Sequence, residues 1–277
     1  LEKSGQMLMR TLLVFFNKSS SDTNDAMDKI EEEMAPKLAA HQDAINLNPA
    51  LYARIKSLYD NRESIGLNTE DAWLLERYYK DLIHAGAHLS ESERDRLKEL
   101  NEELSKLETQ FSKNVLADTN DLAVLVDTIE ELDGLSENEI ASAAAAAKDR
   151  GHEGKWLIGM VNFSGNPVLD SLTNRALRKK IMQDSLLKGN RANENDNKPV
   201  ILKVVKLRAE RAKLFGKNTH AEHVIAVQTA EHPDNVHAML RKIAPAAVRN
   251  AGAEAQDLKK SAGTEIESWD WGFYTEQ

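Results

Sequence analysis

The sequence contains no cysteine among its 277 residues, and proline (6) and glycine (13) are scarce. Without cysteine there is no disulfide framework, no thiolate ligand for zinc and no cysteine nucleophile. Alanine, leucine, glutamate and lysine are plentiful instead, and these residues have high helix propensity. Because 41% of the residues are hydrophobic and 29% are charged, the composition predicts a globular, helix-rich protein rather than a disordered one.

Long apolar runs are also missing. The longest dense stretch, Leu12 to Phe16, is far shorter than the roughly 20 residues that span a bilayer, so we expect no membrane association. The formal charge of −9 opposes binding to phosphate backbones and argues against nucleic acid as a partner. The absence of cysteine fits the cytoplasm, with the periplasm as the alternative. Leu1 to Ser4 lack a methionine and a signal-peptide apolar region, so we expect the natural start to lie upstream.

Apolar residues recur at helical spacing along most of the chain, which predicts a mainly α fold built as an array of long antiparallel helices. Three Ser/Thr-x-x-Glu capping boxes are present, at Ser90, Ser136 and Thr219. The expected helices begin at Ser21 or Asp22, Pro49, Asn68 or Thr69, and Ser90, and the later ones cover 136–151, 173–187, 199–216 and 233–263. Pro36 and Pro245 are expected to kink or bend the helices that contain them.

One segment has a β-type pattern. Residues 156–163 are apolar and β-prone, 164–167 (Ser-Gly-Asn-Pro) read as a turn, and Val168-Leu169 follow, which together predict a short β-hairpin. The whole chain, 1–277, is predicted to be one helical domain or one wall of a larger protein. A sub-boundary is expected near 118–135 or 189–198, where a polar surface loop is the only plausible linker.

Two histidine pairs have spacings that could place both rings on one helix face: His84 with His88, and His220 with His223. Such pairs can share a zinc ion, but neither pair has a third ligand nearby in sequence. A metallopeptidase helix also needs a glutamate beside its first histidine, and position 85 is alanine. We interpret these residues as surface or helix-end histidines, and His152-Glu153 as an ordinary loop pair.

No other constellation suggests catalysis. The glutamate runs are typical of solvated helix faces, and no phosphate loop, dinucleotide fingerprint or Gly-x-Ser-x-Gly elbow occurs. Trp269 and Trp271 are more typical of core or interface anchors than of a ligand-stacking site. From the residues alone we therefore predict no catalytic and no metal-binding residue, and no substrate-binding residue can be identified.

Several segments resemble, in the same order, those of the zinc oligopeptidase family that includes thimet oligopeptidase, oligopeptidase A and bacterial peptidyl-dipeptidase. The resembling segments are 2–8, 32–41, 89–114, 171–178, 208–223 and 269–274. Residues 208–223 are similar to the family pattern R-x-E-x-A-x-L-L-G followed by N-x-A-E-Y, but Phe215 and His223 stand where Leu and Tyr are more usual. The overall likeness is greatest to the dipeptidyl carboxypeptidase branch.

This resemblance implies the amino-terminal half of a zincin-type peptidase, whose chemistry depends on a His-Glu-x-x-His helix further along the chain. That motif does not occur in these residues. The implied zinc would belong to the full-length enzyme and not to this chain, which is expected to be inactive alone. The implied partners are oligopeptide substrates and a carboxy-terminal catalytic half.

The resemblance further implies that these helices form one wall of a narrow substrate channel, with Trp156 and its neighbours shaping it. We also expect residues 269–274 to pack on sequence after Gln277 and to expose an apolar patch without it. Two alternatives stay open: a self-standing helical scaffold or binding protein, against which the uncapped start and abrupt end count, and a fragment of an oligopeptidase A-like endopeptidase.

Overall fold

The computed structural model describes residues 4–160 and 165–276, and the fold over these residues is mainly α. The helices, numbered in chain order, are α1 (Gln6–Ser21), α2 (Asp25–Asn46), α3 (Pro49–Asp60), α4 (Thr69–Ala85), α5 (Glu91–Asp121), α6 (Glu137–Asp149), α7 (Gly165–Ser171), α8 (Arg175–Ser185), α9 (Lys198–Leu214), α10 (His220–Ile225), α11 (Pro233–Ala262) and α12 (Trp271–Thr275). Two short strands, β1 (Val124–Val126) and β2 (Trp156–Ile158), and two 3₁₀ turns (Ile129–Leu132 and Ser268–Asp270) complete the described elements.

The capping signals in the sequence place the helix ends well. The Ser136 hydroxyl accepts a hydrogen bond from the Glu139 backbone N–H, and the Glu139 carboxylate accepts one from the Ser136 N–H at 2.8 Å. Ser90 and Glu93 make the same reciprocal pair. Helix α2 begins at Asp25, slightly later than expected, because the Asn24 side chain caps it. Both α2 and α11 continue through their internal prolines.

The chain divides into two compact units, and the first comprises the described residues up to Thr109 together with Lys203–Val227. Helices α3 and α4 pack side by side in it, and the Tyr59 and Tyr79 rings stack with centroids 4.0 Å apart. A small core forms from Leu47, Leu89, Leu97, Leu214 and Phe215. Gly86 ends α4 with φ 104°, and an added Cβ would lie 2.6 Å from Leu97 Cδ2, so the turn requires glycine.

The second unit comprises Gln110–Leu202 and the described residues from Gln228 onward. Strands β1 and β2 pair antiparallel, with Leu125 opposite Leu157, and α6 packs on β2. Around this pair lies the larger core, formed by Val124, Val126, Leu132, Leu135, Ala143, Ile158, Met160, Leu172, Leu177 and Ile181. The two short strands therefore organise the packing of this unit even though helices dominate it.

The strand at Trp156 is confirmed, but the partner predicted for it is wrong. β2 pairs with Val124–Val126, about 30 residues earlier in the chain, and Val168 and Leu169 lie in helix α7. Residues 161–164 of the predicted hairpin lie outside the described residues. Local turn chemistry favoured a hairpin, whereas burying Val124, Val126 and Ile158 in one core fixes the longer-range pairing.

Candidate functional site

The histidines that could have formed a metal pair instead form a stack of rings in the first unit. His84, in the last turn of α4, lies face to face with His223 of α10, with ring centroids 4.1 Å apart and planes inclined by 6°. Phe215 lies against His223, with centroids 4.2 Å apart and planes inclined by 29°. We call these three residues the ring stack. His223 is only 7% exposed and lies in the last turn of α10, so of the two interpretations it is a helix-end residue and not a surface one.

This geometry does not suit a shared metal ion. An imidazole nitrogen binds a metal in the plane of its ring. Because the His84 and His223 planes are nearly parallel and stacked, their in-plane lone pairs do not converge on one point. In the described part of the chain, no group of three or more His, Cys, Asp or Glu residues is arranged to hold a metal ion. The residues present therefore do not fit the family's zinc, and the expectation that this chain binds none stays a prediction.

The surroundings of the ring stack are basic. Burial is the largest cause that lowers the pKa of His223 to about 4, and the basic groups of His84, Arg211, His220 and Lys217 act in the same direction. Burial also lowers the pKa of His84, although Asp81 opposes the effect. The stacked rings are consequently neutral at physiological pH.

Arg211, one of these basic residues, is half-buried in the same unit and belongs to a hydrogen-bond network. Its Nη1 donates to Asn101 Oδ1 at 3.3 Å, and Asn101 Nδ2 donates to the two Asp43 carboxylate oxygens at 3.0 and 3.1 Å. Asn101 thus bridges a half-buried cation and a half-buried anion that do not touch directly. Burial raises the pKa of Asp43 and lowers that of Arg211. The network joins α2, α5 and α9.

In the second unit, a cluster of oppositely charged side chains surrounds Asp270. The Asp270 side chain is fully buried and accepts hydrogen bonds from Arg175 Nη2 at 2.6 Å and Arg178 Nη2 at 2.8 Å. Burial alone would raise the pKa of Asp270, but the hydrogen bonds from both arginines and from the Glu267 N–H outweigh it and hold the pKa at about 2. Arg178, 1% exposed, also stacks its guanidinium over the Phe273 ring at 4.2 Å. We call these residues the Asp270 cluster.

The Asp270 cluster joins two segments that resembled the family in sequence, 171–178 and 269–274. Trp269 and Trp271 are half-buried, and Lys179 Nζ lies 5.0 Å from the Trp269 ring centroid. Helix α12 packs on α7 within the same unit. The chain's own α7 and α8 thus cover part of 269–274, whose aromatic side chains stay half-exposed, and the expectation that this segment also packs on sequence after Gln277 stays a prediction.

Helices α1 and α11 are among the elements that carry exposed apolar side chains. Val236, Leu240, Ile243 and Ala247 follow each other at steps of four, three and four residues along α11, which places them on one face. We call them the α11 stripe. Leu240 and Ile243 are 52% and 53% exposed, and α11 contributes no buried residue over its 30-residue length. On α1, which likewise buries no residue, Met7 is 84% exposed.

A polar loop in the second unit is fixed by one buried carboxylate. Asp118, 0% exposed, accepts hydrogen bonds from the Gly189 N–H at 2.8 Å and from Arg191, Asn193 and Asn195, each at 3.1 Å. Burial would raise the pKa of Asp118, but these donors lower it. The loop expected to be a linker is thus tied to the end of α5.

Sequence reasoning missed the pairing of the ring stack, the Asp270 cluster and the Asp118 loop. All three bring together residues far apart in the chain, and no local spacing signals them. The one available signal was the pair of departures from the family pattern, Phe215 and His223, which are in contact with each other.

Comparisons with known proteins agree with the segments that carried the resemblance. The family model described as Peptidase family M3 matches residues 168–277. The chain is 35% identical, over its whole length, to dipeptidyl carboxypeptidase of Escherichia coli K12, and 34% identical to that of Salmonella typhimurium. It is 30% identical over 94% of its length to oligopeptidase A of Haemophilus influenzae.

These matches cover 41%, 42% and 39% of the three relatives, so the chain spans about two fifths of their length. None of the helices in the described ranges combines the length and apolar character that a membrane crossing needs. The similarity to two dipeptidyl carboxypeptidases extends over the whole chain, although over less than half of each relative. Residues 168–277 belong to peptidase family M3.

Proposed function

We propose that this chain is the amino-terminal, non-catalytic part of a zinc metallopeptidase that removes dipeptides from the carboxyl end of oligopeptides. The observation that carries the proposal is the 35% identity, over the whole length of this chain, to a protein named dipeptidyl carboxypeptidase. The match covers 41% of that relative, so more than half of its length lies outside the match and leaves room for a metal-binding part. Zinc would bind there, act as a Lewis acid and supply the attacking water.

The role proposed for these helices is to form one wall of the substrate channel and to pack against the catalytic half. The exposed α11 stripe supports this, since an apolar face of this length on a monomer typically marks an interface. Its small residue, Ala247, lets a partner helix approach closely. The proposed location is the cytoplasm, on the absence of cysteine, and the proposed partners are oligopeptides rather than nucleic acid.

The product pattern of the full-length protein tests the activity. We expect mass spectrometry of a digested decapeptide to show dipeptides released only from the carboxyl end, and amidation of that end to slow the release strongly. Internal cleavage that is insensitive to amidation would instead support the second candidate, an oligopeptidase A-like endopeptidase, which the 30% identity to such a protein favours. The 277-residue chain with added zinc is the matched control and should release nothing.

The packing role has its own test. The 277-residue chain is mixed with the separately produced remainder of the full-length protein, and the affinity is measured by calorimetry. Ile243→Asp, on the α11 stripe, should weaken association at least about tenfold, whereas Lys242→Asp, the neighbouring polar-face position, should change it less than about threefold. Equal effects would contradict the proposed interface. A native protein whose intact mass is near 31.0 kDa would favour the scaffold alternative.

A further inference from the structure

The ring stack brings together the two positions at which this chain departs from the family pattern. His223 stands where tyrosine is more usual and Phe215 where leucine is more usual, and their ring centroids are 4.2 Å apart. The other face of the His223 ring is covered by His84 at 4.1 Å. Histidine, whose ordinary pKa is near 6.5, thus occupies a position where the pattern has tyrosine, whose ordinary pKa is near 10.

The titratable groups that face His223 are nearly all basic. Helix α4 contributes His84, α9 contributes Arg211, the following turn contributes Lys217, and α10 itself contributes His220. Arg208 and Arg211 act on His220 in the same direction, and Glu108 opposes them there. Asp81 on α4 opposes them at His84. No carboxylate among the described residues makes an ion pair with His223 itself.

Protonation of the stack is therefore opposed twice. The proton would place a charge on a ring that is 7% exposed, which costs solvation free energy, and it would add a positive charge to a group of like charges. The face of the Phe215 ring can attract a protonated His223 ring, but that attraction is only about 0.5–2 kcal/mol. The other face of the His223 ring contacts His84, which offers no negative charge. Opening the stack lets both imidazoles take up protons in water.

We propose that the ring stack is a pH-sensitive latch: neutral His84 and His223 rings hold α10 against α4, and mild acid releases α10. With a pKa of about 4 in the closed state against about 6.5 when exposed, the closed state binds fewer protons between these values. The latch is fully stabilised above pH 6.5 and weakens as the pH falls towards 4. This inference is independent of the proposed peptidase activity.

Hydrogen exchange measures the opening directly. For amides in His220–Ile225 of the 277-residue protein, protection factors corrected for intrinsic exchange should fall by about 30-fold between pH 7.5 and pH 5. Amides of α8 in the second unit serve as the reference and should change less than about threefold. An equal fall in both helices would reflect general acid destabilisation and would overturn the latch, as would an unchanged α10.

A matched pair of variants separates the ring stack from other histidines. His223→Tyr restores the usual residue and should reduce the pH effect on α10 to less than about fivefold, whereas His152→Tyr, on an exposed loop, should leave the wild-type 30-fold change. If His223→Tyr does not fold, NMR titration of the wild-type imidazoles still decides the matter. A midpoint for His223 near 4 supports the latch, and a midpoint near 6.5 overturns it.

Discussion

The ring stack and the Asp270 cluster both bury a titratable side chain, and they avoid the free-energy cost of an unpaired buried charge in opposite ways. Asp270 is fully buried, stays charged and is matched by two arginines, one of them 1% exposed. His223 is almost as deeply buried, is surrounded mainly by other basic groups and stays neutral. The first arrangement is held by opposite charges and the second by the absence of charge, so acid should affect them in different pH ranges.

The largest effect should come from removing the charge of Asp270. Asp270→Asn leaves Arg178 buried without its anion, and we expect the free energy of unfolding to fall by about 3–5 kcal/mol in urea denaturation. Asp257→Asn is the matched control, because its 3.0 Å pair with Lys260 is exposed and should contribute less than about 0.5 kcal/mol. Equal losses in the two variants would mean that the Asp270 cluster is not held by charge.

The pH dependence of stability should have two separate phases. The lowered pKa of His223 means that stability present above pH 6.5 is lost as the pH falls to about 4, by about 2–3 kcal/mol. The lowered pKa of Asp270 means that its contribution, present above its ordinary pKa near 3.8, is lost only as the pH falls towards 2.

Tryptophan emission of a variant with Trp73→Phe and Trp156→Phe, which leaves Trp269 and Trp271 as the emitters, is followed with α10 hydrogen exchange over the same pH series and distinguishes these phases. We expect the exchange of α10 to change first. A single shared transition would show that the two sites do not respond separately.

Close packing beside the Asp270 cluster can be tested without changing a charge. A Cβ at Gly272 would overlap the Asp170 carboxylate, so Gly272→Ala should cost about 1–3 kcal/mol as measured by thermal denaturation. Gly252→Ala on α11 has no atom within 4 Å of the new Cβ and should stabilise the protein by about 0.5–1 kcal/mol. A neutral Gly272→Ala variant would show that α12 is not closely seated on α7.

The smallest predicted effect comes from giving the ring stack the anion that it lacks. His84→Asp places a carboxylate beside His223, which should raise the pKa of His223 by at least about one unit, or about 1.4 kcal/mol. NMR titration measures the shift, and His152→Asp on an exposed loop controls for the change in net charge. An unchanged His223 pKa would mean that burial alone, and not the surrounding charge, keeps the ring neutral.

The sequence predicted the parts of this fold that depend on neighbours along the chain. The capping boxes at Ser90 and Ser136 and the Asn48-Pro49 start placed helices correctly, because their hydrogen bonds span only a few residues. The fold class followed from the same local patterns, whereas the family followed from the resemblance of several segments in the same order along the chain. The strand at Trp156 was also found, since its apolar run is visible locally.

The partners of these elements could not be predicted in the same way. Val124–Val126 is a three-residue strand that only the shared core identifies as the partner of β2. The Arg178–Asp270 pair spans 92 positions, and an arginine on an amphipathic helix looks like any solvated charge until its partner is known. The spacing of His220 and His223 drew attention to those two residues as neighbours on one helix, whereas the stack joins His223 to His84, and no rule of helix periodicity connects these two.

The Asp118 carboxylate accepts four hydrogen bonds from the loop between Gly189 and Asn195. These bonds also determine where foreign sequence can be inserted. By composition this loop would be the natural place for an epitope tag or a fluorescent domain, but an insertion there would pull donors away from a buried anion. The turn containing Gly151 and Gly154 is the better choice, since both glycines have open space around them. We therefore expect insertions in the Gly189–Asn195 loop to destabilise the protein and insertions in the turn containing Gly151 and Gly154 to be tolerated.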